Sequence, residues 1–296
     1  MQQGQAAVRV AVLGTGIMGA PIARHLQRTG FDVAVWNRSA DKSGALAADG
    51  CRAVASPAEA VRTAAFVVVM LSTGPVVDEI LLAPETSSAL TPGSIVIVMS
   101  SIPVESARHQ AAALATHGVA YIDAPVSGGE RGALAGTLTI MAGGDAAAVT
   151  AAAAVFAPLG RVTHVGPVGS GQLAKLANQL IVGVTIGAVA EALLLAEAGG
   201  ADPVAVRAAL LGGFADSTIL RQHGERMTSR NFTPGAKSEI QDKDMRTATA
   251  LGDQLGVALP LTQCAGALYA DFCRTGGAQL DHSALYLHLQ QMTSRR

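Results

Sequence analysis

The alternation of short apolar runs with helical segments over the first half of the chain constrains the fold most. The apolar runs predict strands at Val8–Leu13, Asp32–Trp36, Phe66–Leu71, Ile95–Met99, Ala120–Ile122 and Thr137–Ala142. The segments between them predict helices at Ala20–Thr29, Asp41–Ala48, Pro57–Thr63, Val76–Leu82 and Val104–Thr116. Continuous apolar strands separated by helices are typical of a mostly parallel sheet covered on both faces. We therefore predict an α/β fold with a Rossmann-type, doubly wound sheet.

The alternation stops near Gly166, and the pattern is helical from there to the end of the chain. One long segment, which ends at Gly199–Gly200, is apolar nearly all round and predicts a buried helix. We predict a dinucleotide-binding domain over residues 1–165 and an all-helical domain over residues 166–296, joined by this helix. Its longest apolar run, Leu180–Ala190, is shorter than the roughly 20 residues that a membrane span requires. We therefore expect no membrane partner.

Composition restricts the kinds of partner. Only 15% of the 296 residues are charged and the formal net charge is −1, so no nucleic-acid-binding surface is expected. The three cysteines lack the spacing of metal ligands, and we expect no metal. The N-terminus shows no apolar export signal, which predicts a cytoplasmic location.

A glycine-rich turn follows the first predicted strand. Gly14, Gly16 and Gly19 have the spacing Gly-x-Gly-x-x-Gly, and the segment after them opens a helix. In this context the glycines permit a tight turn, close approach to a pyrophosphate and close packing of helix on strand. We predict a dinucleotide here, with Ile17 and Met18 in the same loop against it.

The tip of the second strand bears on which dinucleotide binds. An NAD-selective site usually has an acidic residue at this tip, whereas this chain has Asn37, Arg38 and Ser39. A guanidinium and a hydroxyl would bind a 2′-phosphate. NADP(H) is favoured, and NAD(H) remains open because Arg38 could be an ordinary surface arginine.

A second glycine segment follows a strand end, where ligands of open α/β sheets bind. Consecutive N–H groups at Ser127, Gly128 and Gly129 can form a nest for an anion such as a carboxylate. A loop without a ligand is the alternative.

Lys175 stands out within the long helical segment. It is the only Asp, Glu, Lys or Arg between Arg161 and Glu191. On a helix it shares one face with Asn178 and Gln179. An amine that reaches water along the helix, or a structural buried pair, would also explain a lone lysine. Neither explains the two adjacent amides as well as a functional site does.

Four motifs, taken in order, resemble the β-hydroxyacid dehydrogenase family, relatives of 3-hydroxyisobutyrate dehydrogenase and 6-phosphogluconate dehydrogenase. They are "GTGIMGAPIARHL", "DAPVSGGERGALAGTLTIMAGG", "GSGQLAKLANQ" and "DKDM". The resemblance spans nearly the full length and implies a homo-oligomeric enzyme, a dimer or tetramer, that acts on a small hydroxy or aldehyde acid. Stretches such as "GADPVAVRAALLGGFADSTIL" and "QLDHSAL" look like the branch that reduces tartronate semialdehyde to glycerate.

The resemblance also implies residue roles. Lys175 would be the catalytic lysine and Asn178 its orienting partner. Ser127, Gly128 and Gly129 would hold the substrate carboxylate, with Gln179 and Asp244 also at the substrate. The residues implied against the cofactor are Leu71, Ser72, Ser101 and Lys243.

Two departures affect these implications. The family pattern D-M-S-S-I-S-P appears here as "VMSSIP", with Val98 for the acid and one residue fewer before Pro103. Ala236 stands where the reductases usually carry an aromatic residue. The alternatives are therefore another short dehydrogenase of the family, acting on 3-hydroxyisobutyrate, L-serine, L-threonate or succinic semialdehyde, and a non-catalytic dinucleotide-binding scaffold.

Overall fold

The computed structural model describes residues 7–294. The chain divides into two compact units, one up to Lys175 and the other from Leu176 onward. The division falls within the long helix, later than the boundary predicted at 165/166. The first turn of that helix is hydrogen-bonded to Asp123, the last residue of a strand, and to Ser100 and Ile102, which follow another strand, and it belongs to the first unit.

The first unit is built on a nine-stranded sheet with the order β3-β2-β1-β4-β5-β6-β8-β7, in which β9 pairs with β8. The strands are β1 Arg9–Leu13, β2 Asp32–Trp36, β3 Arg52–Ala53, β4 Phe66–Val69, β5 Ile95–Val98, β6 Ala120–Asp123, β7 Val126–Ser127, β8 Leu138–Gly144 and β9 Gly160–Gly166. Strands β1 to β6 are mutually parallel. β8 runs antiparallel to β6 and to β7. The predicted mostly parallel sheet is confirmed.

Helices cover both faces of this sheet, and an apolar cluster lies on each face. They are α1 Gly19–Arg28, α2 Ala40–Gly44, α3 Pro57–Val61, α4 Gly74–Leu81, α5 Pro84–Ser87, α6 Val104–Ala115, α7 Gly129–Ala135, α8 Ala146–Ala151 and α9 Ala153–Phe156. The predicted helix Asp41–Ala48 is instead the short α2 followed by a 3₁₀ turn, Ala45–Asp49.

The structure contains short or exposed elements that the apolar pattern does not predict. Strands β3 and β7 have two residues each, too few for a pattern. β9 is exposed or half-buried along its length, and because it contains polar residues it does not form an apolar run in the sequence. Pairing with β8 stabilises it through backbone hydrogen bonds rather than through burial.

The long helix α10 spans Ser170–Ala198 and continues into the second unit, which is helical as predicted. The remaining helices are α11 Pro203–Leu210, α12 Thr218–Thr228, α13 Ser238–Leu255, α14 Pro260–Phe272 and α15 Leu285–Ser294. A short π-helical segment, Cys273–Gly277, and a 3₁₀ turn, His282–Ala284, separate α14 from α15. Ile186, Leu193 and Tyr269 belong to the core of this unit.

The prediction of a buried helix is wrong for a large part of α10. Ile186 and Leu193 are fully buried, whereas Ile181 is 61% exposed and Leu195 is 77% exposed. Only one side of the helix packs on its own unit. By length and composition α10 could cross a membrane, and 33% of its most apolar window is buried within the structure.

Candidate active site

The glycine-rich loop between β1 and α1 requires its glycines for different reasons. Gly14 has a φ of 97°, and a Cβ there would lie 2.2 Å from the carbonyl oxygen of Met70. A Cβ at Gly19 would lie 1.8 Å from the carbonyl oxygen of Gly14. A Cβ at Gly16 would meet no atom within 4 Å among the described residues, so this part of the loop borders open space.

These features fit the pyrophosphate of a dinucleotide. The side-chain oxygen of Thr15 is buried and has no hydrogen-bond partner within residues 7–294. Gly16 leaves room for a ligand beside the start of α1, where helix N–H groups favour an anion. Leu71, which is predicted to contact the cofactor, packs against this turn. A Cβ at Gly14 would lie 2.9 Å from its Cδ2.

The other residues that are predicted to contact the cofactor differ in their exposure to solvent. Arg38, Ser39, Ser72 and Ile17 are exposed, and Met18 is half-buried. Asn37 accepts a hydrogen bond from the backbone N–H of Thr15 at 3.1 Å and donates one to the carbonyl of Ser39 at 3.1 Å. The Asn37 side chain therefore holds the glycine loop to the tip of β2.

The second glycine segment lies between β7 and α7. Ser127 ends β7, and Gly128 and Gly129 have φ values of 133° and 58°. Both glycines are exposed, and a Cβ at Gly129 would meet no described atom within 4 Å. This backbone has the conformational freedom and the open space that a nest of N–H groups requires.

A buried carboxylate anchors the first turn of α10. The Oδ1 of Asp123, at the end of β6, accepts from the N–H of Gly169 at 2.7 Å, and its Oδ2 accepts from the N–H of Gln172 at 2.8 Å. Burial raises the pKa of Asp123 to about 6, although these backbone N–H groups oppose the shift. A Cβ at Gly171 would lie 2.3 Å from the Asp123 carbonyl oxygen, so only glycine permits this approach.

The buried side chain of Gln172 ties the same turn to the loop after β5. Its Oε1 accepts from the N–H of Ile102 at 3.1 Å, and its Nε2 donates to the carbonyl of Ser100 at 2.9 Å. Ser100 in turn accepts from the N–H of Leu71 at 2.8 Å. In this shortened loop the hydroxyl of Ser100 is buried. Ser101, which is predicted to contact the cofactor, is half-buried.

Lys175 lies about one turn further along α10, and Asn178 and Gln179 lie about two turns further. All three are half-buried. Their spacing places them on one face of the helix, as predicted. Because Asp123 and Gln172 fix the preceding turn, the helix direction at Lys175 is set by the strand ends of the sheet.

Several predicted site residues form one hydrogen-bonded row in the second unit. Asn178 Nδ2 donates to Gln179 Oε1 at 2.9 Å, and Gln179 Nε2 donates to Asp244 Oδ2 at 2.7 Å. Lys243 Nζ lies 3.1 Å from Asp244 Oδ1. Asp244 is buried, whereas the side chain of Lys243 is 50% exposed. The row therefore runs from the half-buried amide of Asn178, through the buried carboxylate of Asp244, to the half-exposed amine of Lys243.

A further polar cluster in the second unit consists of His223, Asp281 and His282, whose ligand atoms lie within 4.8 Å of one another. Such a set could hold a metal ion. However, Asp281 already accepts from Ser283 at both its N–H and its hydroxyl, and from the N–H groups of Gly235 and Ala236. These donors make the carboxylate an anchor for the loop that contains Ala236.

The pKa values within this cluster diverge. Burial opposes ionisation of Asp281, but His223 and Ser283 outweigh it and lower the pKa of this carboxyl well below its usual range. Burial, followed by the nearby His223, lowers the pKa of His282 to about 4. At neutral pH the cluster therefore pairs an ionised carboxylate with a neutral His282.

Sequence reasoning missed Asp123, Gln172 and Ser100, which position α10, and Gln241, which contacts it from α13. The available signal was a lone acid at the end of an apolar strand, "YID", and a glutamine in the first turn of an apolar helix. Neither pattern distinguishes a buried anchor from a solvated side chain.

Two family models together match most of the chain. The NAD binding domain of 6-phosphogluconate dehydrogenase matches residues 9–166. The NAD-binding domain of NADP-dependent 3-hydroxyisobutyrate dehydrogenase matches residues 169–289.

Similar proteins cover nearly the whole length. The 2-hydroxy-3-oxopropionate reductase of Escherichia coli (strain K12) is 40% identical over 292 residues, 98% of this chain and 99% of that protein. The NAD-dependent L-serine dehydrogenase of Pseudomonas aeruginosa is 32% identical over 286 residues, 94% of this chain and 96% of that protein. The solved structure of 3-hydroxyisobutyrate dehydrogenase from Mycobacterium tuberculosis with L-serine matches with a TM-score of 0.89 at 32% identity, over 96% of this chain and 99% of that chain. The chain is thus a member of the β-hydroxyacid dehydrogenase family, NAD(P)-dependent oxidoreductases that act on CH–OH donors.

Proposed function

We propose that this chain reduces tartronate semialdehyde (2-hydroxy-3-oxopropanoate) to D-glycerate, with NADPH favoured over NADH. The observation that carries the proposal is the hydrogen-bonded row Asn178–Gln179–Asp244–Lys243. Its first two members follow Lys175 on α10. The 40% identity to a 2-hydroxy-3-oxopropionate reductase supports this substrate.

The chemistry assigns one task to each group of residues. Bound NADPH supplies the hydride. Lys175, as an ammonium, donates a proton to the aldehyde oxygen, which becomes the hydroxyl of the product. In the oxidative direction the neutral amine of Lys175 takes that proton back. Asn178 orients the reacting oxygen toward the amine, and the N–H groups of Ser127–Gly129 bind the carboxylate.

The test is an NADPH absorbance assay of the purified chain with a panel of acids. The panel holds tartronate semialdehyde and succinic semialdehyde for reduction, and L-serine, L-threonate and 3-hydroxyisobutyrate for oxidation. We expect the largest kcat/KM for tartronate semialdehyde. A larger kcat/KM for another acid would transfer the assignment to that acid, and no activity on any acid despite tight NADPH binding would contradict an enzymatic role.

A second candidate is oxidation of L-serine or another β-hydroxyacid. It is favoured by Ala236, because the resemblance implies an aromatic residue at this position in the reductases and this chain does not have one. Its support among similar proteins is the L-serine dehydrogenase of Pseudomonas aeruginosa, at 32% identity.

The preference for NADPH rests on Arg38. This exposed guanidinium lies at the tip of β2, where an acid would repel a 2′-phosphate. We expect Arg38→Ala to raise KM for NADPH by about 10–100-fold, the range for a hydrogen bond to a charged group. KM for NADH should change much less. Arg28→Ala, at an exposed arginine on α1, is the matched control. If Arg38→Ala raised KM for NADPH and NADH equally, Arg38 would not select NADPH.

We also propose a homodimer or homotetramer in the cytoplasm. The exposed apolar side chains of α10, such as Ile181 and Leu195, support association between copies. The three cysteines are free, as expected in a reducing compartment. Light scattering of the purified chain measures the number of copies.

A further inference from the structure

Gln241 contacts the backbone of α10 at the turn that carries Asn178 and Gln179. Its side chain is 1% exposed, and its Nε2 donates to the carbonyl oxygen of Gln179 at 3.0 Å. This carbonyl lies inside a helix, where the N–H four residues later, that of Gly183, is its ordinary partner. Gln241 therefore adds a second donor to a helical carbonyl.

Gly183 makes this approach possible. A Cβ at position 183 would lie 2.6 Å from Gln241 Nε2 and 2.6 Å from the sulfur of Met245. A glycine inside a helix costs about 1 kcal/mol relative to alanine. The space that it leaves is filled by two side chains of α13.

The orientation of the Gln241 amide follows from its two partners. A carbonyl oxygen only accepts, so the nitrogen of Gln241 faces Gln179. The Oε1 of Gln241 then lies 3.4 Å from His282 Nδ1, which must carry the proton that it donates. Burial lowers the pKa of His282, and the neutral ring has one N–H for this contact.

Helix α13 thus holds Gln179 at two points. Gln241 bonds its backbone carbonyl, and Asp244, three residues later on the same face of α13, bonds its side chain. The Gln179 side chain is in turn the acceptor for Asn178 Nδ2. Loss of the backbone contact would let this turn of α10 shift together with the Asn178 amide.

We propose that Gln241 is a positioning residue for the reaction, which acts through the gap at Gly183 on the turn of α10 that carries Asn178. This inference rests on the proposed function, because it assigns the orienting role to Asn178. Gln241 and Gly183 then act together in one contact, and substitution of either residue should displace the Asn178 side chain in the same way.

The variants are Gln241→Leu, Gly183→Ala and the double variant. Gln241→Leu keeps the volume but removes both hydrogen bonds, and Gly183→Ala pushes the intact amide away from the helix. Gly187→Ala on the same helix is the matched control, since its Cβ would meet no described atom within 4 Å. With tartronate semialdehyde we expect each single variant to lower kcat by about 10–100-fold, the scale of a small misplacement. KM for NADPH should stay unchanged, and Gly187→Ala should match the wild type.

The double variant separates positioning from general damage. Because both changes break one contact, their effects should not add, and kcat of the double variant should equal that of the worse single variant. Unchanged kcat in both single variants of an active wild type, or losses that simply multiply, would overturn the proposal.

Hydrogen exchange tests the role of Gln241 without an activity assay. It therefore still applies if the wild type reduces no acid of the panel, a result that would contradict the proposed function alone. Gln241→Leu should speed exchange at residues 176–184, and Gly187→Ala should not. Equal exchange in Gln241→Leu and the wild type would overturn the role of Gln241 in holding this turn.

Discussion

Lys175→Ala should lower the turnover of tartronate semialdehyde by about 10²–10⁴-fold, the scale of losing a general acid. The amine is half-buried on α10, on the same face as Asn178 and Gln179. The glycine loop that is predicted to bind NADPH lies in a different segment, between β1 and α1. Steady-state kinetics with NADPH and the aldehyde measure the loss, and fluorescence titration measures the dissociation constant for NADPH, which should stay within about threefold of the wild type.

Lys175→Arg is the informative control for charge. The guanidinium keeps the positive charge but does not release its proton at neutral pH. Turnover should therefore stay close to that of Lys175→Ala. Near-normal turnover of the arginine variant would show that charge rather than proton transfer is required, and near-normal turnover of the alanine variant would remove Lys175 from the mechanism.

Gln172→Leu should destabilise the first unit by about 2–6 kcal/mol. The substitution leaves the N–H of Ile102 and the carbonyl of Ser100 without the partners they have now, each at about 1–3 kcal/mol when buried. Calorimetry should place its unfolding roughly 5–15 °C lower. The turn before Lys175 also loses its tie to the loop after β5, so turnover should fall as well.

Gln263→Leu provides the comparison for this prediction. It makes the same chemical change at an exposed position of α14 and should leave the unfolding temperature nearly unchanged. If Gln172→Leu unfolds at the wild-type temperature, the Gln172 amide does not anchor α10 in the way the hydrogen bonds indicate.

The sequence predicts those parts of the fold that depend on local pattern. Apolar runs such as Ile95–Val98 have the length and composition of buried parallel strands, and the glycine spacing at Gly14–Gly19 fixes the turn that follows β1. The spacing of Lys175, Asn178 and Gln179 places them on one helical face. Each of these follows from residues close together in the chain.

The missed features depend on contacts between distant segments. Asp123 precedes Gln172 by 49 positions, and Gln179 precedes Gln241 by 62. A buried hydrogen-bonded side chain has no local signature that distinguishes it from a solvated one. The exposed side of α10 was missed for a similar reason, since an apolar surface alone does not state whether its own chain covers it.

The central claim is that an amine at position 175 delivers the proton. Chemical rescue of Lys175→Ala by small primary amines tests it most directly, because truncation to alanine leaves space for such a molecule beside the helix. Turnover of the variant with NADPH and tartronate semialdehyde should rise with amine concentration, and the same amines should leave the wild type unchanged. Turnover that no amine raises, in a variant that still binds NADPH and the acid, would contradict the claim.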